Sequence, residues 1–208
     1  RMKIHSLLNI TLAVGGIALM SGCRSQLGYA NPQEARIIST NVGAYDLQQH
    51  AVTMVDSLLS NPVLNRKLRE QFPDGKRPVI SVQPLINDTR QLNLKLDAIT
   101  NSISTRLINS DKFEFMDLPA NNEVFVKIIS DITSGIGNEA RKAQLTNMQD
   151  RPDYILTGQL QEISESNDQV KDSYYKLTMR LVNLQTFKFD WAEENDIRKV
   201  QTRARFGY

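Results

Sequence analysis

Residues 174–181, Tyr-Tyr-Lys-Leu-Thr-Met-Arg-Leu, alternate strictly, with Tyr175, Leu177, Met179 and Leu181 on one side and Tyr174, Lys176, Thr178 and Arg180 on the other. A period of two sends successive side chains to opposite faces of a strand, so this segment buries one face of a sheet. The segment before it, 154–163, carries Tyr154, Leu156, Gly158 and Leu160 on one face. Phe187, Phe189 and Trp191 alternate again after it. A polar turn region, 164–172, and a turn near Gln185-Thr186 separate the three, which predicts a C-terminal three-strand meander.

Upstream the period changes. A first helix is predicted over 46–59 with Leu47, Val55, Leu58 and Leu59 inward. Asn61 caps a second helix that has Pro62 at its first position and a stripe of Leu64, Leu68 and Phe72, ended by Pro73-Asp74-Gly75. Residues 79–86 read as a strand, with Pro84 marking an edge or its end. Leu96, Ile99, Ile103, Leu107 and Ile108 form the apolar face of a helix over 94–109, and a short strand follows at 113–117. Asn121 or Asn122 caps a helix over 123–132 with Val124, Ile128, Ile129 and Ile132 inward, before a more polar helix over 138–148. This order predicts an α/β (α+β) fold: a two-layer sandwich of a small mixed sheet, the C-terminal meander within it, and flanking helices.

The chain contains one cysteine, which excludes an intrachain disulfide and a cysteine-rich metal site. Its position is informative. Arg1, Lys3 and His5 start a segment that is apolar from Leu7 to Met20 apart from Asn9 and Thr11, and Met20-Ser21-Gly22-Cys23 follows. A basic start, an apolar run shorter than a comfortable membrane span and a small-residue site make a secretory signal. A plain secretory signal or an anchoring helix are the alternatives. The small pair directly before the sole cysteine resembles a lipobox, in which the cysteine takes a diacylglycerol and becomes the acylated N-terminus. Met20 stands where leucine is preferred. Arg24, rather than aspartate, follows the cysteine, and the resemblance then implies sorting to the outer membrane.

The expected organisation is a lipoprotein signal peptide at 1–22, the lipidated Cys23 and a tether to residue 45, and a periplasmic domain over 46–208 with a short basic C-terminal tail. Even fully extended, the 22 residues of 24–45 span at most ~75 Å. Removing 1–22 takes away Arg1 and Lys3 and leaves 23 basic and 23 acidic residues. A neutral mature chain lacks the basic field that nucleic-acid binding wants, so no nucleic-acid partner is expected. Arg198, Lys199, Arg203 and Arg205 form a local basic run, read as a solvated tail rather than a phosphate or headgroup patch.

Little in the mature chain carries chemistry. Its single histidine, His50, lies on a polar stretch and reads as a surface residue. Ser173-Tyr174-Tyr175-Lys176 matches S-x-x-K, but serine–lysine chemistry needs both on one helix face, and a strand sends them to opposite sides. Residues 135–140 match G-x-G-x-x-A, but a helix rather than a strand precedes them, so a glycine loop between helices is expected, not a nucleotide site. Asp190, Glu193, Glu194 and Asp196 could bind a cation, yet lack calcium-loop spacing and read as a solvated strand end. Trp191 is expected in the core or at a sheet edge. No catalytic, cofactor or metal residue is assigned, and Cys23 is the one candidate site.

The order of several short segments is more specific than any one of them. Val79-Ile80-Ser81-Val82 followed by Asn87-Asp88-Thr89, then 112–117, then Asp153-Tyr154-Ile155-Leu156-Thr157-Gly158, then 175–182 with Trp191, Glu194, Ile197, Arg198 and Lys199, resemble the LpoB family of outer-membrane lipoproteins and its wider CsgG-like group. The resemblance covers about 78–200. It implies a protein without enzyme activity or cofactor. Its folded domain would dock on a noncatalytic domain of a class A bifunctional penicillin-binding protein and activate it in peptidoglycan synthesis, held to the outer membrane by its lipid anchor. Two departures stand out: Phe187 occupies a hairpin position where the family has glycine, and the tether is short for a family whose well-known members use a long one. The competing expectations are a CsgG-like structural lipoprotein in outer-membrane export or assembly, and an enzyme or nucleotide-binding protein using the glycine loop and acidic cluster.

Overall fold

The structure is a computed structural model that describes residues 41–118, 123–134, 139–148, 150–166 and 170–202. The signal segment, Cys23, the tether up to residue 40, Asn121 and Asn122, the glycines at 135 and 137, Arg203 and Arg205 lie outside the described residues. Among the described residues no helix is long and apolar enough to cross a membrane.

The elements in order are α1 (Ala44–Ser60), α2 (Pro62–Gln71), β1 (Val79–Val82), β2 (Ile86–Asp88), α3 (Asp97–Asn109), β3 (Glu114–Phe115), α4 (Glu123–Thr133), α5 (Glu139–Thr146), β4 (Tyr154–Ser166), β5 (Val170–Asn183) and β6 (Lys188–Thr202). They form one open six-stranded sheet of order β3-β1-β4-β5-β6, with β2 pairing beside β1 on β4. β1 runs parallel to β3 and β4, whereas β4, β5 and β6 are antiparallel. The mixed sheet, the meander and the flanking helices are those expected.

The main core lies on one face. Leu47, Met54, Val55 and Leu58 of α1, Leu64 and Leu68 of α2, and Ile99, Ile103 and Leu107 of α3 pack against Tyr154, Leu156, Leu160, Tyr175, Leu177, Met179 and Leu181. A smaller cluster on the opposite face joins Phe125, Ile128, Ile129 and Leu145 to Ile155, Val182 and Leu184. The handedness of parallel crossovers explains the split. The chain steps from β1 outward to β3 through α3, then back across to β4 through α4 and α5. Right-handed connections in opposite directions put their helices on opposite faces.

Several boundaries move for identifiable reasons. Asn61 does cap α2, its Oδ1 accepting from Leu64 N at 2.9 Å, with Pro62 first in the helix. The predicted strand 79–86 is two short strands. β1 and β2 both pair with β4, but four steps from Val82 to Ile86 match three from Leu156 to Gln159. The extra residue falls around Pro84, which has no N–H to give the ladder. Ile108 is half-exposed rather than inward, because Ile103 and Leu107 already fill the stripe and a residue one further turns about 100° away. Phe125, not anticipated, is buried at 1% exposure. The polar segment 164–172 is mostly strand: β4 and β5 pair out to Ser166 and Lys171. Arg198 and Lys199 lie within β6, where Arg198 pairs with Asp172 and Lys199 with Asp46.

Candidate interaction surface

The segments singled out in the sequence are tied together by their backbones and polar side chains. Asp153 accepts from Val79 N at 2.8 Å and so joins the start of β4 to β1. Tyr154 and Leu156 enter the main core, and Gly158 leaves room for Leu85, whose Cδ2 would stand 2.5 Å from a β-carbon there. Asn87 Oδ1 accepts from Thr89 N and Oγ1 at 3.2 and 2.7 Å, while its amide donates to Gln91 O at 2.9 Å. The Gln91 amide then reaches Tyr175 Oη at 3.1 Å. The Asn-x-Thr loop is thus a side-chain-braced turn held to β5.

Asp190 is the least expected of the acidic residues. Leu181 pairs with Trp191 but Val182 with Phe189, so Asp190 is the extra residue of a β-bulge. Trp191 and Phe189 therefore lie on opposite faces, against the single alternation read from sequence. Trp191 is buried in the main core, and Phe189 lies on the other face under the Arg180 guanidinium, 5.8 Å from its ring centroid. Asp190 Oδ1 is 2.6 Å from Lys67 Nζ, and its Oδ2 accepts from Asn183 Nδ2 at 2.8 Å and Tyr154 Oη at 3.1 Å. Burial alone would raise its pKa, but the hydrogen bonds from Lys67, Asn183 and Tyr154 outweigh it and hold the carboxyl below the ordinary aspartate range. Burial, then the Asp190 charge, pushes the Tyr154 hydroxyl well above the ordinary tyrosine range.

The other acids disperse. Glu194 accepts from Lys176 at 3.0 Å, and its pKa is lowered by that bond. Asp196 faces Tyr174 and raises the pKa of that hydroxyl. Among the described residues no group of three histidine, cysteine, aspartate or glutamate side chains could hold a metal ion. Ser173 is buried in the sheet and bonded to Ser164 Oγ at 3.1 Å, whereas Lys176 is on the opposite face, so the S-x-x-K match brings no pair together. Of the G-x-G-x-x-A match, Glu139 and Ala140 begin α5, and 135–138 lie outside the described residues. His50 is half-buried on α1.

What remains is a groove on the face that α4 partly covers. Thr157 and Gln159 of β4 and Arg180 of β5 form its floor, Val126, Ile129 and Ser130 of α4 one wall, and Gln83, Pro84 and Ile86 the other. It encloses about 420 Å³. Ile86 and Val126, both about half-exposed, stand at its rim. It opens at the carboxyl end of β1, where successive helices leave opposite faces, which is where open α/β sheets carry their crevices. An apolar rim around a few polar groups suits a protein segment or a small ligand. No single residue pattern announced it: Ile86 falls within the strand expected over 79–86, and Val126 is not among the inward residues expected for the helix over 123–132.

Comparison with known proteins gives one family match, to the peptidoglycan-synthase activator LpoB, over residues 46–197. No curated protein matches the chain. Solved structures similar to it include the LpoB C-terminal domain from Escherichia coli, 17% identical with a TM-score of 0.39, the alignment covering 74% of this chain and 98% of that one. The LpoB C-terminal domain from Salmonella enterica is 19% identical with a TM-score of 0.34, covering 65% of this chain and 93% of that one. Lipoprotein GNA1162 from Neisseria meningitidis is 14% identical with a TM-score of 0.35, covering 59% and 83%.

Proposed function

The chain belongs to the peptidoglycan-synthase activator LpoB family, and we propose from this that it is a non-enzymatic lipoprotein that docks on a class A bifunctional penicillin-binding protein and raises its synthetic activity. The family match over 46–197, which takes in every helix and nearly all of the sheet, carries the reading. In this account Cys23 bears the lipid and holds the domain on the periplasmic face of the outer membrane.

Activation then needs no chemistry from the activator. A synthase that exchanges between inactive and active states is pulled toward whichever state the activator binds better. A tenfold preference for the active state corresponds to about 1.4 kcal/mol, well within what a few interface side chains supply. The α4 groove is the surface offered for this contact, its apolar rim supplying anchors and Arg180 and Gln159 supplying orientation.

Purified full-length protein, tested against the class A penicillin-binding proteins of its own organism in detergent, should bind at least one saturably. Val126→Asp should weaken that binding by about tenfold or more without lowering the melting temperature, because the residue is half-exposed in the free domain. Absence of binding to every class A synthase would refute the function. Unchanged binding by Val126→Asp and Ile86→Asp would move the contact off the groove.

A further inference from the structure

The chain enters the domain at one end of the long meander. Asn41 lines a surface hollow together with Arg90, Leu92, Glu162 and Lys171. Leu92 is 89% exposed, more than any other large apolar residue described. Ile163, 62% exposed, is adjacent on β4, and Val200, 56% exposed, is paired to Asp172 two strands away. Alternation places Glu162 and Lys171 on the core-side face and Ile163 and Val200 on the other, so the exposed apolar side chains flank both faces of one sheet end.

We infer that this end of the domain rests on the lipid bilayer surface, with Leu92 and Ile163 seated below the headgroups. The inference rests on the reading of Cys23 as the lipidated anchor. Eighteen peptide links separate Cys23 from Asn41 and span at most ~65 Å in any conformation. The tether joins the domain at this end, which favours its approach to the membrane. A flat protein partner would cover apolar groups on one face of the sheet only, whereas a fluid surface receives a tip that is apolar on both. Arg90 and Lys171 flank Leu92, and their long side chains reach lipid phosphates while their stems lie lower. The opposite end of β4 is where Ile155 packs under α4 and α5, about seven residues or ~23 Å further on.

The test uses full-length lipidated protein in vesicles of phosphatidylethanolamine and phosphatidylglycerol containing brominated acyl chains. Leu92→Trp should show a blue-shifted emission quenched at least about two-fold by these lipids, as a side chain buried ~5–10 Å into the interface would be. Val63→Trp, exposed on α2 near the other end, should be unquenched, and the native Trp191, 6% exposed, provides a constant background. Equal quenching at the two positions, or none at Leu92→Trp while the protein still floats with the vesicles, would overturn the inference and leave the anchor standing. Quenching at Leu92→Trp that is lost when a class A synthase is added would assign the tip to that protein instead and overturn it as well. Failure of the wild-type protein to float, with no lipid on Cys23 by mass, would remove the anchor and the inference with it.

Discussion

Asp190 holds three partners with 8% of its side chain exposed. Replacing it by alanine takes from the Asn183 amide its shortest acceptor, leaves the Tyr154 hydroxyl only Gln71 Oε1, and leaves Lys67 without its counter-ion. With Lys67 partly solvated, about 2 kcal/mol of stability should be lost, measurable by urea unfolding. The sign of the pH dependence follows from its lowered pKa. The unfolded chain binds the proton more readily, so the contribution is fully present above the unfolded value near 3.8 and is lost as pH falls through the lower folded value. Asp190→Asn should flatten that part of the acid limb. None of this was legible in the sequence, where Asp190 stands among Glu193, Glu194 and Asp196 as one acid of four. The single-residue bulge that turns it inward has no sequence signature. Gly158 was legible in a different sense: its place on the apolar face of a strand was plain, its reason was not. Gly158→Ala should cost about 1–3 kcal/mol because the new methyl meets Leu85 and also stands 3.2 Å from Thr178 O. Leu85→Ala in the same chain should then cost less than it does alone, which a double-mutant cycle would measure. Phe187 takes φ +57°, the left-handed conformation for which the family's glycine is suited, while its ring packs on the smaller core cluster.

Among the elements, α1, α2 and α3 were read nearly to their ends because each has a helical stripe and α2 also has its cap. Asn61→Ala should remove the bond to Leu64 N and lower stability by about 1 kcal/mol, seen as a shift in the urea midpoint with an unchanged slope. The strands were read less well at their ends. Ser164, Glu165, Lys171 and Asp172 look like turn residues, yet they sit on strands that run past the helices, where neither face has a core to demand apolar side chains. The break at Pro84 was visible, but the resumption of pairing at β2 depends on β4 and could not be seen locally. The two faces were not separable either. Whether α4 lies with α1 or opposite it depends on strand order, which periodicity does not encode.

For the whole molecule, the fold class and the family pattern were readable, since the segment order survives even where each segment is weak. The groove was not, because its residues come from the β1–β2 link, β2, α4, β4 and β5 and meet only in the folded sheet. In the proposed arrangement the meander tip meets the membrane and the α4 groove meets a synthase. The direct test of the central claim is glycan polymerisation by the organism's class A penicillin-binding proteins, followed with labelled lipid-linked precursor in detergent. Adding the full-length protein should raise the initial rate of at least one of them saturably, and Val126→Asp should require more protein to reach the same rate. Rates that stay unchanged for every class A synthase at saturating protein would contradict it.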